Sequence, residues 1–302
     1  MFVKQSLPLL LIAAALAFGC RKRETAPAGP EPAGAAAERV SPPAETAPLP
    51  AAEKPIAELE KAGVKFAFEK DGKLKSADFS AADGPAAFDD AEKERWNTLR
   101  VLRGKGLLSD TLARQAAECP KLTECLWLET EISPSAFRAL AGVSTLKKLR
   151  LTGLSAESAD LSLLAGLPEL AELDFSDSSL TDDSLKALAA LQALSRLNLY
   201  RNRIGDEGVR NLVPLAEKLV WLNLDATQIT DEAGSSLAQF PRLKFLHLGR
   251  TAVTDEIIGS LAGLADLETV HVTRTGITEA GAEKLRAALP NTEVISVVQE
   301  NK

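Results

Sequence analysis

The sequence predicts an α/β solenoid in which parallel strands line a concave face and short helices line a convex face. A leucine-rich pattern starts again every 23 to 25 residues through most of the chain. Inside each repeat, the apolar spacing changes from every second residue, typical of a half-buried strand, to every third or fourth residue, typical of a helix. Leucine and alanine supply most of the apolar residues, and the 302 residues include one Tyr, three Trp and one Met. This composition suits many thin, similar layers that bury their apolar faces against one another.

The repeat is clearest in residues 194–219, LSRLNLYRNRIGDEGVRNLVPLAEKL. Its first part places Leu197 and Leu199 on one face of a strand, and its second part places Val209 and Leu212 on one face of a short helix. Neither half can bury its apolar face alone, so the unit needs copies on both sides. Such units start at Leu74, Leu99, Leu122, Leu146, Leu170, Leu194, Leu219, Leu243 and Leu267.

Residues 1–19 have the composition of a secretory signal peptide. Lys4 precedes a largely apolar run of 13 residues from Leu7 to Gly19. A helix of this length is too short to cross about 30 Å of hydrocarbon at about 1.5 Å per residue, but it suits the apolar core of a secretion signal.

The end of this run, LAFGC from Leu16 to Cys20, resembles the signal peptide of bacterial lipoproteins. The resemblance implies that Cys20 is lipidated, becomes the mature N-terminus and anchors an exported protein to a membrane of the cell envelope. Leu16 lies four residues before the cysteine instead of the usual three, and the basic residues Arg21 to Arg23 follow it. An ordinary cleaved signal and an uncleaved short anchor therefore stay open, as does the choice between inner and outer membrane.

Residues 20–55 are predicted to form a disordered tether after the lipidated cysteine. The segment is rich in Ala, Pro and Glu and has almost no large apolar side chains, so burial cannot offset the entropy cost of ordering it. Stretched as polyproline II, it would reach roughly 100 Å.

Residues 56–73 are predicted to cap the N-terminal end of the solenoid with a helix and the start of a hairpin. IAELEKAGV begins at Ile56, and Asp71 and Gly72 form a common hairpin turn between two short strands. The repeats occupy residues 74–302, where a last partial unit begins at Thr292. Its predicted inward strand residues are Ile295 and Val297.

The repeats resemble the leucine-rich-repeat family, with its pattern LxxLxLxxNxL. Leu194, Leu197, Leu199, Asn202 and Ile204 match the pattern in full. The resemblance implies a right-handed horseshoe with parallel strands inside and helices outside. Other units replace the asparagine by a hydroxyl residue that we expect to bond the loop backbone of the next coil, namely Thr130, Ser178, Thr227, Thr251 and Thr275.

Most units also carry a signal for the start of a helix. Ser or Thr stands where an N-cap oxygen is expected, and Asp or Glu often follows in the first turn. These predicted caps are Ser109, Ser133, Thr181, Thr230, Thr254 and Thr278.

The net charge and the catalytic motifs missing from the sequence argue against some classes of function. A net charge of −7 argues against a nucleic-acid partner, because phosphate contacts need a basic surface. The sequence has no phosphate-binding glycine loop, nucleophile elbow or HExxH motif, so neither an enzyme activity nor a cofactor is predicted. RGKG, from Arg103 to Gly106, lacks the rest of a P-loop and is interpreted as a connection from a strand to a loop.

The strand register predicts a binding surface on the concave face. Residues between the inward leucines point into the groove, and neighbouring strands lie about 4.8 Å apart, so these side chains form one surface. Aromatic residues on adjacent coils are typical of binding hot spots, which favours binding of a protein partner. The predicted binding residues are Arg196, Tyr200, Trp221, Asp225, Phe245, His247 and His271.

Two alternatives stay open for the function. The horseshoe could serve as a structural component of the envelope without a specific groove ligand. His247 and His271 could also hold a metal with Asp225 as a third ligand, for a metal-dependent or carbohydrate-processing activity, although no third strong ligand is evident. The histidine pair further predicts a groove that responds to mildly acidic pH.

Cys119 and Cys125 form an even pair once Cys20 is lipidated. Both occupy inward positions of the repeat, so an oxidising compartment could join them in a disulfide. Packing as two buried free thiols is an equal alternative.

Overall fold

A computed structural model describes residues 52–84 and 86–296. Its strands are β1 (Ala52–Lys54), β2 (Lys65–Phe68), β3 (Leu74–Asp78), β4 (Ala86–Phe88), β5 (Val101–Leu108), β6 (Glu124–Ile132), β7 (Lys148–Leu151), β8 (Glu172–Asp174), β9 (Arg196–Asn198), β10 (Trp221–Asn223), β11 (Phe245–His247), β12 (Thr269–His271) and β13 (Glu293–Ile295). Its α-helices are α1 (Ile56–Lys61), α2 (Lys93–Trp96), α3 (Asp110–Ala117), α4 (Pro134–Ala141), α5 (Asp182–Lys186), α6 (Asp206–Asn211), α7 (Gly234–Leu237), α8 (Ile258–Leu261) and α9 (Glu279–Ala288). Among the described residues, no helix is long and apolar enough to span a membrane.

One sheet of eleven strands runs along the repeats. From β3 to β13 each strand pairs in parallel with the next member of the sheet, and β2 pairs antiparallel with β3 at the N-terminal edge. Leu197 lies opposite Leu173 on one side and Leu222 on the other. A parallel sheet with a helical connection after each strand confirms the predicted α/β solenoid.

The core is a continuous column of leucine-rich layers between the sheet and the helices. Leu197, Leu222 and Leu246 are 0% exposed, and so are the helix residues Val209 and Leu237. The alternation within each strand therefore separates inward residues from groove residues as predicted.

Several of the predicted convex helices are partly or wholly 3₁₀ turns, because only a few residues are available to cross the back of each coil. The unit that starts at Leu146 differs most, since its back is formed by 3₁₀ turns alone at Ala156–Ser158 and Leu161–Gly166. Elsewhere a 3₁₀ turn adjoins a short α-helix, as where Asp231–Ala233 precedes α7.

Side-chain hydrogen bonds confirm the predicted N-caps Ser109, Ser133, Thr230, Thr254 and Thr278. The acidic residue after a cap has a second role. The hydroxyls of Ser109 and Ser133 accept from backbone N–H groups of α3 and α4. The backbone N–H and hydroxyl of Thr230 both donate to the carboxylate of Asp206 in the preceding coil, each at 2.8 Å. The same double contact joins Thr254 to Asp231 and Thr278 to Asp255. These carboxylates therefore link successive coils.

The threonines at the asparagine position of the motif do not make the hydrogen bonds that the sequence predicted. Asn202 does bond to the preceding coil, where its Oδ1 accepts from Leu180 N at 3.0 Å. The threonines instead donate to a carbonyl three residues earlier in their own coil, as Thr227 does to Leu224 O at 2.6 Å. The prediction was therefore wrong for these threonines, whereas the hydroxyl of Ser178 does reach the preceding coil, where it accepts from Leu154 N at 3.0 Å.

The N-terminal end is covered by the predicted helix α1 and hairpin β2–β3, together with an aromatic cluster further along the chain. Phe88 stacks on Trp96 with ring centroids 5.7 Å apart and meets Phe79 edge-on at 5.6 Å. Strand β4, which carries Phe88, pairs with β1 outside the main sheet. These rings close the first layer of the core.

Two sequence interpretations of strands were wrong. Arg103 to Gly106 lie inside β5, where a Cβ on Gly104 would come within 2.1 Å of the Trp127 ring, so glycine is needed in mid-strand. At the C-terminal end, Val294 pairs with Val270 and faces inward, whereas Ile295 pairs with His271 on the groove side. The last repeat is therefore one residue out of the predicted register. Val297 lies outside the described residues, as does everything before residue 52.

Candidate binding face

The strand-lined face is built from side chains that occupy equal positions on successive strands. Trp221 of β10 lies in register with Arg196 of β9 and Phe245 of β11. His247 of β11 lies in register with His271 of β12. The parallel pairing therefore brings together residues about 24 positions apart in the chain.

Five of these side chains form a continuous stack that we call the ring ladder: Arg196, Trp221, Phe245, His271 and His247. The guanidinium of Arg196 lies 4.9 Å from the Trp221 ring centre. The rings of Trp221 and Phe245 are parallel within 7° with centroids 4.8 Å apart. Phe245 meets His271 at 5.3 Å, and His271 stacks on His247 at 4.4 Å and 7°. The Trp, Phe and His rings of the ladder are half-buried, so each presents only part of its surface to the groove.

Tyr200 and Asp225, also predicted as binding residues, belong to a second cluster. Arg250 lies 5.1 Å from the Tyr200 ring centre and Arg201 lies 5.9 Å from it. Among the described residues, Tyr200 makes no ring contact with the ladder. The predicted aromatic surface is thus split into two parts that share one face.

Asp225 anchors the second cluster. Its side chain is buried, and its carboxylate accepts hydrogen bonds from Nε of Arg250 at 2.9 Å and from Nη2 of the same residue. The Asp225 carboxylate raises the pKa of the Arg250 guanidinium, so this guanidinium is charged at all ordinary pH values. Sequence reasoning missed Arg250, which follows Gly249 in a turn, because no spacing rule places a loop side chain against a strand 25 residues away.

The last residue of β9, of β10 and of β11 accepts a hydrogen bond from the backbone of the turn that follows. Oδ1 of Asn223 accepts from Asp225 N at 2.9 Å, and Nδ1 of His247 accepts from Gly249 N at 3.1 Å. His247 in this state is a neutral imidazole whose proton is on Nε2. Groove residues in this column therefore also stabilise the fold, which the sequence did not indicate.

Burial lowers the pKa of both histidines. For His247 the nearby Asp225 opposes the shift, while His271 and Arg250 add to it. For His271 burial is opposed by Glu293 and Asp225. Since both pKa values lie below the ordinary value of 6.5, the stacked pair is neutral near pH 7.

We expect the protein to lose thermal stability as the pH falls below about 6.5, since the unfolded histidines then take up protons that the folded state binds less well. The stability that the histidines contribute is fully present above that pH, and it declines until the pH reaches the pKa of the histidines in the folded protein. His271→Gln removes one titrating ring and should lose less stability between about pH 7.5 and pH 5. Thermal unfolding of the wild-type protein and of the His271→Gln variant across this pH range measures the difference in lost stability. An identical pH dependence in the two proteins would show that the pair does not titrate as described.

A cavity of about 170 Å³ lies beside the ladder on the same face. Lys148, Glu172 and Arg196 line it, with Trp221 at one side. Lys148 pairs with Glu172 at 2.7 Å, and Arg150 pairs with Asp174 at 2.8 Å. The cavity thus carries charges of both signs, already paired within the protein.

Among the described residues, the structure shows neither a metal site at the predicted histidine pair nor a disulfide between the two predicted cysteines. Within residues 52–84 and 86–296, no group of three His, Cys, Asp or Glu side chains could hold a metal. Cys119 and Cys125 are buried free thiols, and Cys119 Sγ contacts the carbonyl of Trp96 at 3.5 Å. Burial raises the pKa of each thiol to about 12, so both are inert. Cys20 lies outside the described residues.

Comparison with known proteins identifies the repeat. Residues 191–213 match a family model described as a leucine-rich repeat. No curated protein sequence matches the chain.

Several solved structures share the fold at low identity. Internalin C2 from Listeria monocytogenes is 21% identical with a TM-score of 0.52, over 68% of this chain and 84% of the internalin. An internalin (inlF) from the same organism is 20% identical with a TM-score of 0.50, over 71% of this chain and 65% of its own. TLR13, solved as a complex with ssRNA13, is 18% identical with a TM-score of 0.53, over 76% of this chain and 37% of its own. At these identities the likeness concerns the fold alone.

Proposed function

We propose that this chain, a leucine-rich-repeat protein in its fold, binds a protein partner across its strand-lined face, with the ring ladder at the centre of the contact. The role is one of recognition and not of catalysis.

The observation that carries this proposal is the ring ladder itself. Aromatic and arginine side chains are the residue types that dominate binding energy at the centre of protein interfaces. Here Trp221 is held between Arg196 and Phe245 before any partner arrives. Little side-chain freedom is left to lose on binding, so more of the contact energy appears as affinity.

Trp221→Ala is therefore expected to weaken binding of the native partner at least about tenfold. Phe68→Ala is the matched control, because Phe68 is an aromatic residue that is 44% exposed on β2, the edge strand at the N-terminal end of the sheet and far from β10. It should leave affinity unchanged. The partner is first recovered by crosslinking the native protein in cell envelopes, and the affinity and thermal unfolding of each variant are then measured.

Trp221 also contacts its neighbours within the protein, so a modest loss of stability is expected in the same variant. The comparison is made at a temperature where both variants are folded. Normal partner binding by folded Trp221→Ala would contradict the proposal and favour a structural role in the envelope.

The structure places Ala52–Lys54, predicted as the end of the tether, in strand β1 paired with β4, so the predicted tether is too long at this end. We further propose that the protein is exported and held at a membrane by a lipid on Cys20, with residues 20–51 as a tether that lets the solenoid reach its partner. The signal-like segment and the Ala-, Pro- and Glu-rich composition support this location.

Cys20→Ser is expected to move the protein from the membrane fraction to the soluble fraction or to stop its processing, because the lipid can no longer attach. Fractionation and mass analysis of the mature N-terminus measure this. Wild-type protein that is wholly soluble with an unmodified N-terminus would exclude a lipid anchor.

A further inference from the structure

The last residues of β9, β10 and β11 present a row of hydrogen-bond donors to the groove. These residues are Asn198, Asn223 and His247, which lie in register on adjacent strands. Each uses a side-chain acceptor within the protein, where it accepts from the backbone N–H two residues later. The atoms left for a ligand are therefore Nδ2 of the two asparagines and Nε2 of the histidine, and all three are N–H donors. We call these three residues the donor row.

The donors of the row are open to solvent. Among the described residues, the only buried side-chain N or O atom without a hydrogen-bond partner is Asn97 Oδ1, so the three unpartnered nitrogens reach the surface. The same holds for Nε1 of Trp221, which lies two residues before Asn223 on β10. An indole nitrogen can only donate, so it adds a fourth donor beside the row.

The charges that border the donor row are already paired within the protein. Arg150 pairs with Asp174 on the side of β8, and Arg250 pairs with Asp225 at the turn after β10. The donors themselves are amide, imidazole and indole N–H groups, which carry no charge. A ligand that suits this row therefore offers uncharged acceptors.

A proline-rich segment is the form of polypeptide that offers acceptors without donors. Proline lacks a backbone N–H but keeps its carbonyl, and no carbonyl is bonded internally in the polyproline II conformation. A β-strand would also bring backbone N–H groups to the groove, and the acceptors of the donor row are already engaged. The chemistry of the row thus favours polyproline II over an extended strand.

The spacing of the row agrees with this conformation. With about 4.8 Å between strands, Asn198 and His247 lie about 9.6 Å apart along the solenoid. Carbonyls three residues apart in polyproline II lie on one side of the segment and are separated by about 9.3 Å, because the helix has three residues per turn and rises about 3.1 Å per residue. Carbonyls on one side of a β-strand recur about every 6.7 Å, which matches neither one nor two strand spacings.

The ring ladder supplies an apolar contact beside the donors. Trp221 and Phe245 lie two residues before Asn223 and His247 on the same strands. Trp221 is stacked between Arg196 and Phe245, so its faces are covered and its edge is left for contact. A sugar ring would need an open aromatic face, whereas proline rings dock into grooves lined by aromatic side chains.

We propose that the donor row, together with the edges of Trp221 and Phe245, binds a proline-rich segment of the partner protein in the polyproline II conformation. The backbone carbonyls of the segment accept from the donors, and its proline rings pack against the aromatic edges. This inference rests on the proposed function, since it names the part of the same partner that occupies this face.

The test uses the full chain and a peptide of about 12 residues in which Pro-Pro-Gln repeats, long enough to cross the three strands. A peptide of equal length in which Ala-Ala-Gln repeats and a soluble chitin oligosaccharide are the comparison ligands. Calorimetry with each ligand up to about 1 mM is expected to show at least about tenfold tighter binding of the proline peptide than of the alanine peptide. Raising the salt from about 50 mM to about 500 mM should leave that affinity unchanged, because no charges pair.

Three results with these ligands would overturn the inference. They are absence of binding by the proline peptide, equal binding of the alanine peptide, and tighter binding of the chitin oligosaccharide. The last result would assign the face to a glycan.

Asn223→Asp removes the donors of one residue and keeps its bond to the turn. Aspartate retains an oxygen that accepts from the backbone, as Asp174 does at the same position on β8, where its Oδ1 accepts from Ser176 N at 3.0 Å. The second oxygen would repel a carbonyl of the ligand. Affinity for the proline peptide should therefore fall about tenfold, while the melting temperature changes little.

Asn198→Asp repeats this test on β9 with the same expected result. Asn291→Asp is the matched control, because Asn291 is an exposed asparagine outside the donor row, and its affinity for the proline peptide should equal that of the wild type. Wild-type affinity in folded Asn223→Asp and Asn198→Asp would show that the donors make no contact with the peptide.

The chain also has prolines of its own before the described residues, at Pro42, Pro43, Pro48 and Pro50. Replacing these four by alanine in the full chain should leave the affinity for the proline peptide unchanged, since the partner supplies the occupant. Tighter binding by this variant would mean that the chain's own segment fills the groove, which would overturn the assignment to the partner.

The proposed function fails or stands on a separate measurement, the effect of Trp221→Ala on binding of the native partner. A loss of native binding in that variant, without any binding of the proline peptide, would retain the proposed function and reject this inference. Normal native binding would reject the proposed function itself.

Discussion

Leu197→Ala is expected to lower the free energy of unfolding by about 2–5 kcal/mol. Leu197 is 0% exposed and lies between Leu173 and Leu222 of the two adjacent coils. Truncation removes apolar burial and leaves a cavity that the rigid sheet cannot close, because both neighbouring strands are held in register. Chemical denaturation of purified protein measures the loss.

The control for this variant is Asn198→Ala, one residue further on the opposite face. Its Oδ1 accepts from Tyr200 N at 3.2 Å, so the change should cost about 0.5–1.5 kcal/mol. The same substitution of a side chain that faced the groove without a hydrogen bond would lower the free energy of unfolding by less. Equal losses at the two positions would mean that the inward and outward faces of β9 are wrongly assigned.

Asn202→Ala should have the second large effect, at about 2–4 kcal/mol. The side chain is buried, its Oδ1 accepts from Leu180 N, and its Nδ2 donates to Phe175 O at 2.8 Å and to Leu199 O at 3.0 Å. Alanine would leave these backbone groups without partners inside the protein. The free energy of unfolding again measures the effect.

Thr227→Ala is the matched control, since Thr227 holds the corresponding position one coil later. Its hydroxyl makes a single bond within its own coil, to Leu224 O, so the loss should be near about 1 kcal/mol. If both variants lost the same stability, the bonds of Asn202 to the preceding coil would contribute nothing.

The difference between Asn202 and Thr227 shows what the sequence motif can predict and what it cannot. The motif places Asn202 and Thr227 at equal positions in their repeats, and the structure agrees. The motif does not say which atoms the side chains reach. The amide of Asn202 extends to the preceding coil, whereas the hydroxyl of Thr227 bonds within its own coil.

The sequence predicted most residues of the candidate site, but it missed Arg250 and did not predict how the side chains are arranged. The predicted residues Arg196, Trp221, Phe245, His247 and His271 lie on the strand-lined face, whereas Tyr200 and Asp225 lie in the turns after β9 and β10. The order of stacking, the separation of Tyr200 from Trp221 and the clamp between Asp225 and Arg250 appear only in three dimensions.

The sequence by itself determined the period, the parallel sheet and the face on which each strand residue lies. These follow from local spacing, because alternate side chains of a strand point to opposite sides and a fixed period places equal positions side by side. Only the tertiary structure decided the partners of each side chain. Arg250 meets Asp225 and Tyr200, and His247 meets His271, since these contacts depend on rotamers and turn geometry between coils about 24 residues apart. The last described repeat shows the same limit, because the one-residue shift that makes Val294 face inward was decided by pairing with β12.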